Sequence, residues 1–150
     1  MRLETRRHEL PTILKAATTY FTLVFGAGFV LGPIRILFIV PRFGVSIAEL
    51  MEAPIMLLVI VFAAKWLVRR FSLSPTALPV GFLALGLMIT FEFTLVLWLR
   101  GLTLTEYFRE RDPVASLVYY LMLLLFAVMP LLVSARQSLL ALRSAIRKSV

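Results

Sequence analysis

The chain lacks the residues on which most enzyme chemistry depends: it has no cysteine and one histidine, His8, in 150 residues. Without cysteine there are no disulfide bonds, thiolate metal sites or thiol catalysis. A single histidine outside the apolar segments cannot supply paired axial ligands to a haem held between helices. Ser116 and Ser134 have no histidine partner in those segments, which disfavours a serine hydrolase. We therefore expect no enzyme activity and no cofactor.

Acidic residues are also scarce, with 8 Asp and Glu against 16 Lys and Arg, which gives a net charge of +8. In a nucleic-acid-binding domain the basic residues gather on one folded face. Here they stand in short clusters between apolar runs, as membrane topology signals do. The charge pattern therefore indicates the lipid bilayer, and no nucleic acid, as the partner.

Apolar residues, by contrast, make up 61% of the chain, and its mean hydropathy is +0.95. Soluble domains contain roughly 45–50% apolar residues, and a chain this short has too small an interior to hide the excess. Four apolar runs cover residues 14–40, 47–68, 78–99 and 114–133, and each reaches the ~20 residues that cross a bilayer. Backbone groups in lipid must pair within the segment. We predict an all-α integral membrane protein, a single domain of residues 1–150 with four transmembrane helices in a bundle.

Local signals place the ends of the predicted helices. Ser46 and Glu49 fit a capping box at the start of the second span, and Thr103 and Glu106 fit one that predicts a short amphipathic helix between the third and fourth spans. Residues 136–150 form a basic tail in which three arginines share one helical face. This tail is either a helix lying on anionic lipid or an extension of the fourth span that fixes the topology.

The distribution of basic residues predicts the orientation. With the N-terminus inside, the outer segments hold only four basic residues, Arg42, Arg100, Arg109 and Arg111. The inner segments hold eleven: Arg2, Arg6, Arg7, Lys15, Lys65, Arg69, Arg70, Arg136, Arg143, Arg147 and Lys148. By the positive-inside rule, both termini are expected in the cytoplasm.

Four charged residues lie inside or at the edge of the apolar runs: Arg35, Glu49, Glu52 and Glu92. A charge near the bilayer centre costs roughly 2.5–3.5 kcal/mol, so it usually has a partner or a function. The predicted topology puts all four in the outer half of the membrane on three consecutive helices. We expect an ion-pair or binding cluster there, with a bidentate contact between Arg35 and either Glu52 or Glu92 preferred.

Neighbouring residues allow other interpretations of this cluster. Glu49 is explained equally well as a helix cap, and Arg35 as a side chain that snorkels to the outer headgroups. Gly28 and Gly32 share a face with Arg35, and their spacing predicts close packing of a second helix. No metal is expected, because a site already neutralised by Arg35 offers too few oxygen ligands.

Four stretches resemble a group of short four-span bacterial membrane proteins: GPIR at residues 32–35, AELMEAPIM at 48–56, TEYF at 105–108 and FAVMP at 126–130. The resemblance implies a multi-pass protein of the bacterial cytoplasmic membrane and carries no assigned activity. Small multidrug exporters share the size and a membrane glutamate, but theirs lies in the first span, where this chain has Arg35.

Three functions stay open at this point. The favoured one is a non-catalytic subunit or assembly partner of a membrane complex, in contact with copies of itself or with other membrane subunits. The second is a small oligomeric transporter or channel for protons or cations that uses Glu52 and Glu92. The third is a protein that binds a lipid or other amphiphile, with Arg35 contacting an anionic headgroup.

Overall fold

The computed structural model describes residues 2–73, 76–100 and 113–148, with side chains for residues 9–73, 76–95 and 113–147. These residues form four α-helices, α1 (Arg2–Ile34), α2 (Val40–Phe71), α3 (Ala77–Arg100) and α4 (Pro113–Lys148), and a π-helical segment, Arg35–Ile39, between α1 and α2. There is no strand in the described part of the chain, so the all-α prediction is confirmed. The short helix that the Thr103 and Glu106 capping box predicts lies outside the described residues.

Three helical stretches are long and apolar enough to cross a membrane: Glu9–Phe71, Ala77–Leu95 and Pro113–Arg147. Large apolar side chains point outward along them; Leu37 is 68% exposed and Leu117 is 70% exposed. Water would penalise such a surface, whereas hydrocarbon chains are as apolar as leucine itself. The described part of the chain is all-helical and has the apolar surface of a membrane protein.

The first stretch is interrupted at Gly44, where the backbone leaves the helical region with φ 79° and ψ 170°. Glycine tolerates this positive φ because it has no Cβ. Met56, twelve residues beyond the break, lies beside Gly28 of α1, so the chain turns back on itself. Residues 41–46, which separate the first two predicted spans, are therefore helical except at Gly44. One glycine is enough to reverse the chain there.

Helices α2 and α3 each pack against both α1 and α4. Many of the buried residues are alanines: Ala16, Ala17, Ala48, Ala63, Ala64, Ala77, Ala84, Ala115 and Ala127. Where α3 crosses α4, a Cβ added to Gly81 would lie 1.9 Å from the carbonyl oxygen of Ala127. Small residues at helix crossings let backbones approach closely, which replaces the hydrophobic driving force that is missing in lipid.

A buried tyrosine connects α1 to α4. Pro130 has no N–H, so the carbonyl of Phe126 loses its helical hydrogen-bond partner. The hydroxyl of Tyr20 donates to that carbonyl at 3.0 Å, and the rings of Tyr20 and Phe126 stack with their centroids 4.5 Å apart. Tyr20 thus satisfies a backbone carbonyl that Pro130 leaves without its helical donor and that lipid could not satisfy.

Helix α4 continues without a break through the basic tail as far as Lys148. The side chains of Arg136, Arg143 and Arg147 are exposed along it. The described part of the tail therefore has the form of an extension of the fourth apolar run, the second of the two interpretations, and is not a separate helix set at an angle to it.

Candidate functional site

A cavity of about 420 Å³ lies between the helices, with wall residues from α1, α2, α3 and α4 and from the π-helical segment. Its walls are mostly apolar and include Val24, Phe25, Phe29, Met56, Met88, Met122 and Phe126. The polar part of the wall consists of Arg35, Glu49, Glu52, Glu92 and Tyr119. The structure thus brings the four charges of the predicted cluster to one cavity.

Arg35 is the first residue of the π-helical segment, before the chain reversal, and it contacts two residues of α2 that follow the reversal. Its Nη1 lies 3.1 Å from Oε2 of Glu52 and 3.5 Å from Oε1 of Glu49. The two glutamates stand three residues apart on one face of α2, so they flank a single guanidinium nitrogen. Among the described contacts, this arrangement replaces the predicted two-nitrogen fork to one carboxylate.

The Arg35 side chain is 27% exposed, while those of Glu49 and Glu52 are 17% and 14% exposed. Arg35 therefore does not extend freely from the protein, as a purely snorkelling side chain would. Glu49 likewise takes part in the ion pair, so its role exceeds that of a helix cap. The ion pairs connect the π-helical segment, which directly follows α1, to the part of α2 that follows Gly44.

The π-helical segment begins two residues after Pro33, and its last hydrogen bond runs from the N–H of Val40 to the carbonyl of Arg35. Each π turn accommodates one more residue than an α turn does. Such turns are rare and occur frequently at functional sites. Here the turn carries Arg35 and Ile36, both of which line the cavity.

Glu92 is held from the opposite side of the cavity. The hydroxyl of Tyr119 on α4 donates a hydrogen bond to Oε2 of Glu92 on α3. From the sequence, Tyr119 is most simply a residue of the interfacial aromatic belt, and that interpretation missed its place in the site. The two residues lie 27 positions apart on different helices, so no local pattern connects them.

Two buried polar atoms of the cluster are incompletely satisfied. Within the described residues, Arg35 Nε and Glu52 Oε2 have no hydrogen-bond partner. The Oε2 atom is close enough to Arg35 Nη1 for an ion pair, but the angles are not those of a hydrogen bond. Buried polar groups are nearly always hydrogen-bonded, so the cluster has capacity for a further polar partner.

The charges that the described residues contribute to the cavity do not balance. Among these residues three carboxylates face one guanidinium, a formal excess of two negative charges. Electrostatic attraction is stronger in a poorly hydrated apolar site than in water. Within the described residues these carboxylates do not form a set of three that could hold a metal ion. The arrangement is suited to an organic cation with an apolar body.

The two glycines predicted to pack against another helix line the cavity instead. A Cβ on Gly28 would lie 3.6 Å from Cε of Met56, an ordinary contact, and a Cβ on Gly32 would meet no described atom within 4 Å. Among the described residues, no helix packs closely on Gly32. The missing side chain enlarges the cavity there, and the tight helix crossing is at Gly81.

Comparison with known proteins gave no match: no family model, no curated protein and no solved structure matches this chain. The resemblance to short four-span bacterial membrane proteins stays a prediction.

Proposed function

We propose that this chain is a non-catalytic integral membrane protein that binds a hydrophobic molecule carrying a positive charge in the cavity between its helices. The supporting observation is that Arg35, Glu49, Glu52, Glu92 and Tyr119 line one part of a cavity whose other walls are apolar. A concave apolar site with a few convergent polar groups is the usual form of a small-molecule site.

The charge balance supports a cation rather than the anionic headgroup of the third hypothesis. The guanidinium of Arg35 is already engaged by Glu49 and Glu52, so an arriving anion would have to displace them. Glu92 accepts a hydrogen bond from Tyr119. A cationic ligand in the cavity would offset part of the formal negative excess of the described wall residues.

The proposal includes a membrane topology. The stretch Glu9–Phe71 contains 63 residues, about 95 Å of helix at 1.5 Å per residue, whereas the hydrocarbon core is about 30 Å thick. With its break at Gly44, this stretch would cross twice, giving a bundle of four spans. The eleven basic residues on one side and four on the other support cytoplasmic termini in a bacterial inner membrane.

A second candidate is the subunit or assembly partner, in which the ion pairs only fix the fold. The observation that favours it is the double contact of Arg35 across the chain reversal. Buried ion pairs often specify packing rather than chemistry. In that case the cavity would show no preference between small ligands of opposite charge. A transporter would use the same cavity and would in addition move the cation across a sealed vesicle.

Tetraphenylphosphonium and tetraphenylborate test the charge preference, because they have nearly the same shape and apolar surface but opposite charge. We expect the purified protein in nanodiscs to bind the cation, and Glu92→Gln to weaken that binding about tenfold, or ~1.4 kcal/mol. The amide keeps an acceptor for Tyr119 while one negative charge is removed. Equilibrium dialysis against empty nanodiscs measures the specific part of the binding.

The matched control is Glu9→Gln, which removes the same charge from an exposed position of α1 outside the cavity. It should bind the cation as the unmodified protein does. Equal binding of both ions would reduce the result to partition into lipid. Preferential binding of tetraphenylborate would contradict the proposal and would favour an anion held by Arg35.

A further inference from the structure

A second cavity, of about 510 Å³, lies between α2 and α4, towards the end of α2 that is remote from Arg35. Lys65 follows Glu52 by thirteen positions in the sequence, which is about 20 Å along a helix. The polar residues of the second cavity's wall are Lys65, Arg69, Arg136 and Gln137. None of the described carboxylates lines it, so this cavity differs in charge from the first one.

The three cations come from two helices. Lys65 and Arg69 are four residues apart and share a face of α2, and Arg136 faces them from α4. The ion pairs of the described residues involve neither these side chains nor any carboxylate near them. Three like charges repel one another, and no described carboxylate pairs with them, so an anion bound between them would stabilise the arrangement.

The remaining wall residues are apolar: Val61, Met129, Leu132, Val133 and Leu140. Both helices belong to stretches that are long and apolar enough to cross a membrane. The cations lie near the end of the apolar part of each helix, since α2 ends at Phe71 and the fourth apolar run ends at Val133. This is the depth at which a phospholipid changes from acyl chains to headgroup.

We propose that this cavity binds an anionic phospholipid, with the headgroup phosphate between Lys65, Arg69 and Arg136. One acyl chain lies along the exposed part of the apolar wall, formed by Leu132 and Leu140. Basic pockets between transmembrane helices are a recurring form of site for anionic headgroups. The apolar wall selects a lipid over free phosphate, which would gain nothing from it. The proposal rests on the membrane location and is independent of the ligand of the first cavity.

The test compares two triple variants that remove the same number of positive charges. The first, Lys65→Gln, Arg69→Gln and Arg136→Gln, empties the cavity of cations. The second, Arg70→Gln, Arg143→Gln and Arg147→Gln, removes cations from the same two helices at positions outside that cavity. Native mass spectrometry in a mild detergent measures binding of phosphatidylglycerol and of phosphatidylcholine with the same acyl chains. Thermal unfolding verifies that both variants are folded.

We expect the first variant to bind phosphatidylglycerol at least about tenfold more weakly, or ~1.4 kcal/mol, because it loses all three cations near the anionic headgroup. The second variant should bind within about twofold of the unmodified protein, a change of ~0.4 kcal/mol. Phosphatidylcholine should bind weakly to all three proteins. Equal loss in both variants would overturn the site, as would tight binding of phosphatidylcholine. Inorganic phosphate that displaces the lipid at the lipid's own concentration would overturn the lipid as the ligand.

Discussion

Replacing Gly81 with alanine is expected to destabilise the protein by at least about 1–3 kcal/mol, the usual cost of extra atoms in a packed interior. The added Cβ would lie 1.9 Å from the carbonyl oxygen of Ala127, a distance that no side-chain rotation can relieve because both atoms are fixed to backbones. Helices α3 and α4 would have to separate. The midpoint of thermal unfolding in detergent should therefore fall markedly.

Gly86→Ala is the control for this prediction, because Gly86 lies in the same helix and a Cβ there would meet no described atom within 4 Å. Alanine has a higher helix propensity than glycine by up to about 1 kcal/mol. Gly86→Ala should thus leave the unfolding temperature unchanged or raise it. If the two variants unfold at the same temperature, the close crossing of α3 and α4 is wrong.

Replacing Arg35 with methionine is expected to cost about 3 kcal/mol of stability, the lower end of the range for breaking a buried pair. The lower end applies because 27% of the Arg35 side chain is exposed. Without the guanidinium, Glu49 and Glu52 would lie close together without a counter-charge in an apolar environment. Thermal unfolding in detergent and the yield of folded protein measure the loss.

Two further variants separate this ion pair from a general effect of charge. Arg42→Met removes an exposed arginine close to the same chain reversal and should leave the stability nearly unchanged. Adding Glu49→Gln and Glu52→Gln to Arg35→Met removes the uncompensated carboxylates and should restore most of the loss. Arg35→Met as stable as Arg42→Met would mean that Arg35 acts on lipid headgroups and not on the two glutamates.

Part of this site could be predicted from the sequence because lipid does not solvate charged side chains. Charges inside apolar runs are costly, so Arg35, Glu49, Glu52 and Glu92 could be singled out without an alignment. Helix geometry then gave their depths, because each residue advances 1.5 Å along the axis. The structure has Arg35 in contact with Glu49 and Glu52, and it has Glu92 at the same cavity.

The remaining features depend on contacts between distant helices, and the sequence carries no local signal for them. Gly81 and Gly86 look alike in an apolar helix, yet only Gly81 faces the backbone of α4. The hydroxyl of Tyr20 donates to the carbonyl of Phe126, which lies 106 positions away and loses its helical donor at Pro130. In the sequence Lys65 and Arg136 indicate only the topology, whereas in the structure the packing of α2 on α4 places both at one cavity. Tertiary packing decides each of these cases.

The central claim, that a cation binds in the cavity beside the Arg–Glu cluster, is tested most directly by filling that cavity. Gly32 lines it and Gly26 does not, and a Cβ on either glycine of α1 would meet no described atom within 4 Å. In dialysis with tetraphenylphosphonium, Gly32→Leu should bind at least about tenfold more weakly, or ~1.4 kcal/mol, with an unchanged unfolding temperature. Gly26→Leu should bind as the unmodified protein does. Undiminished binding by Gly32→Leu would contradict the account.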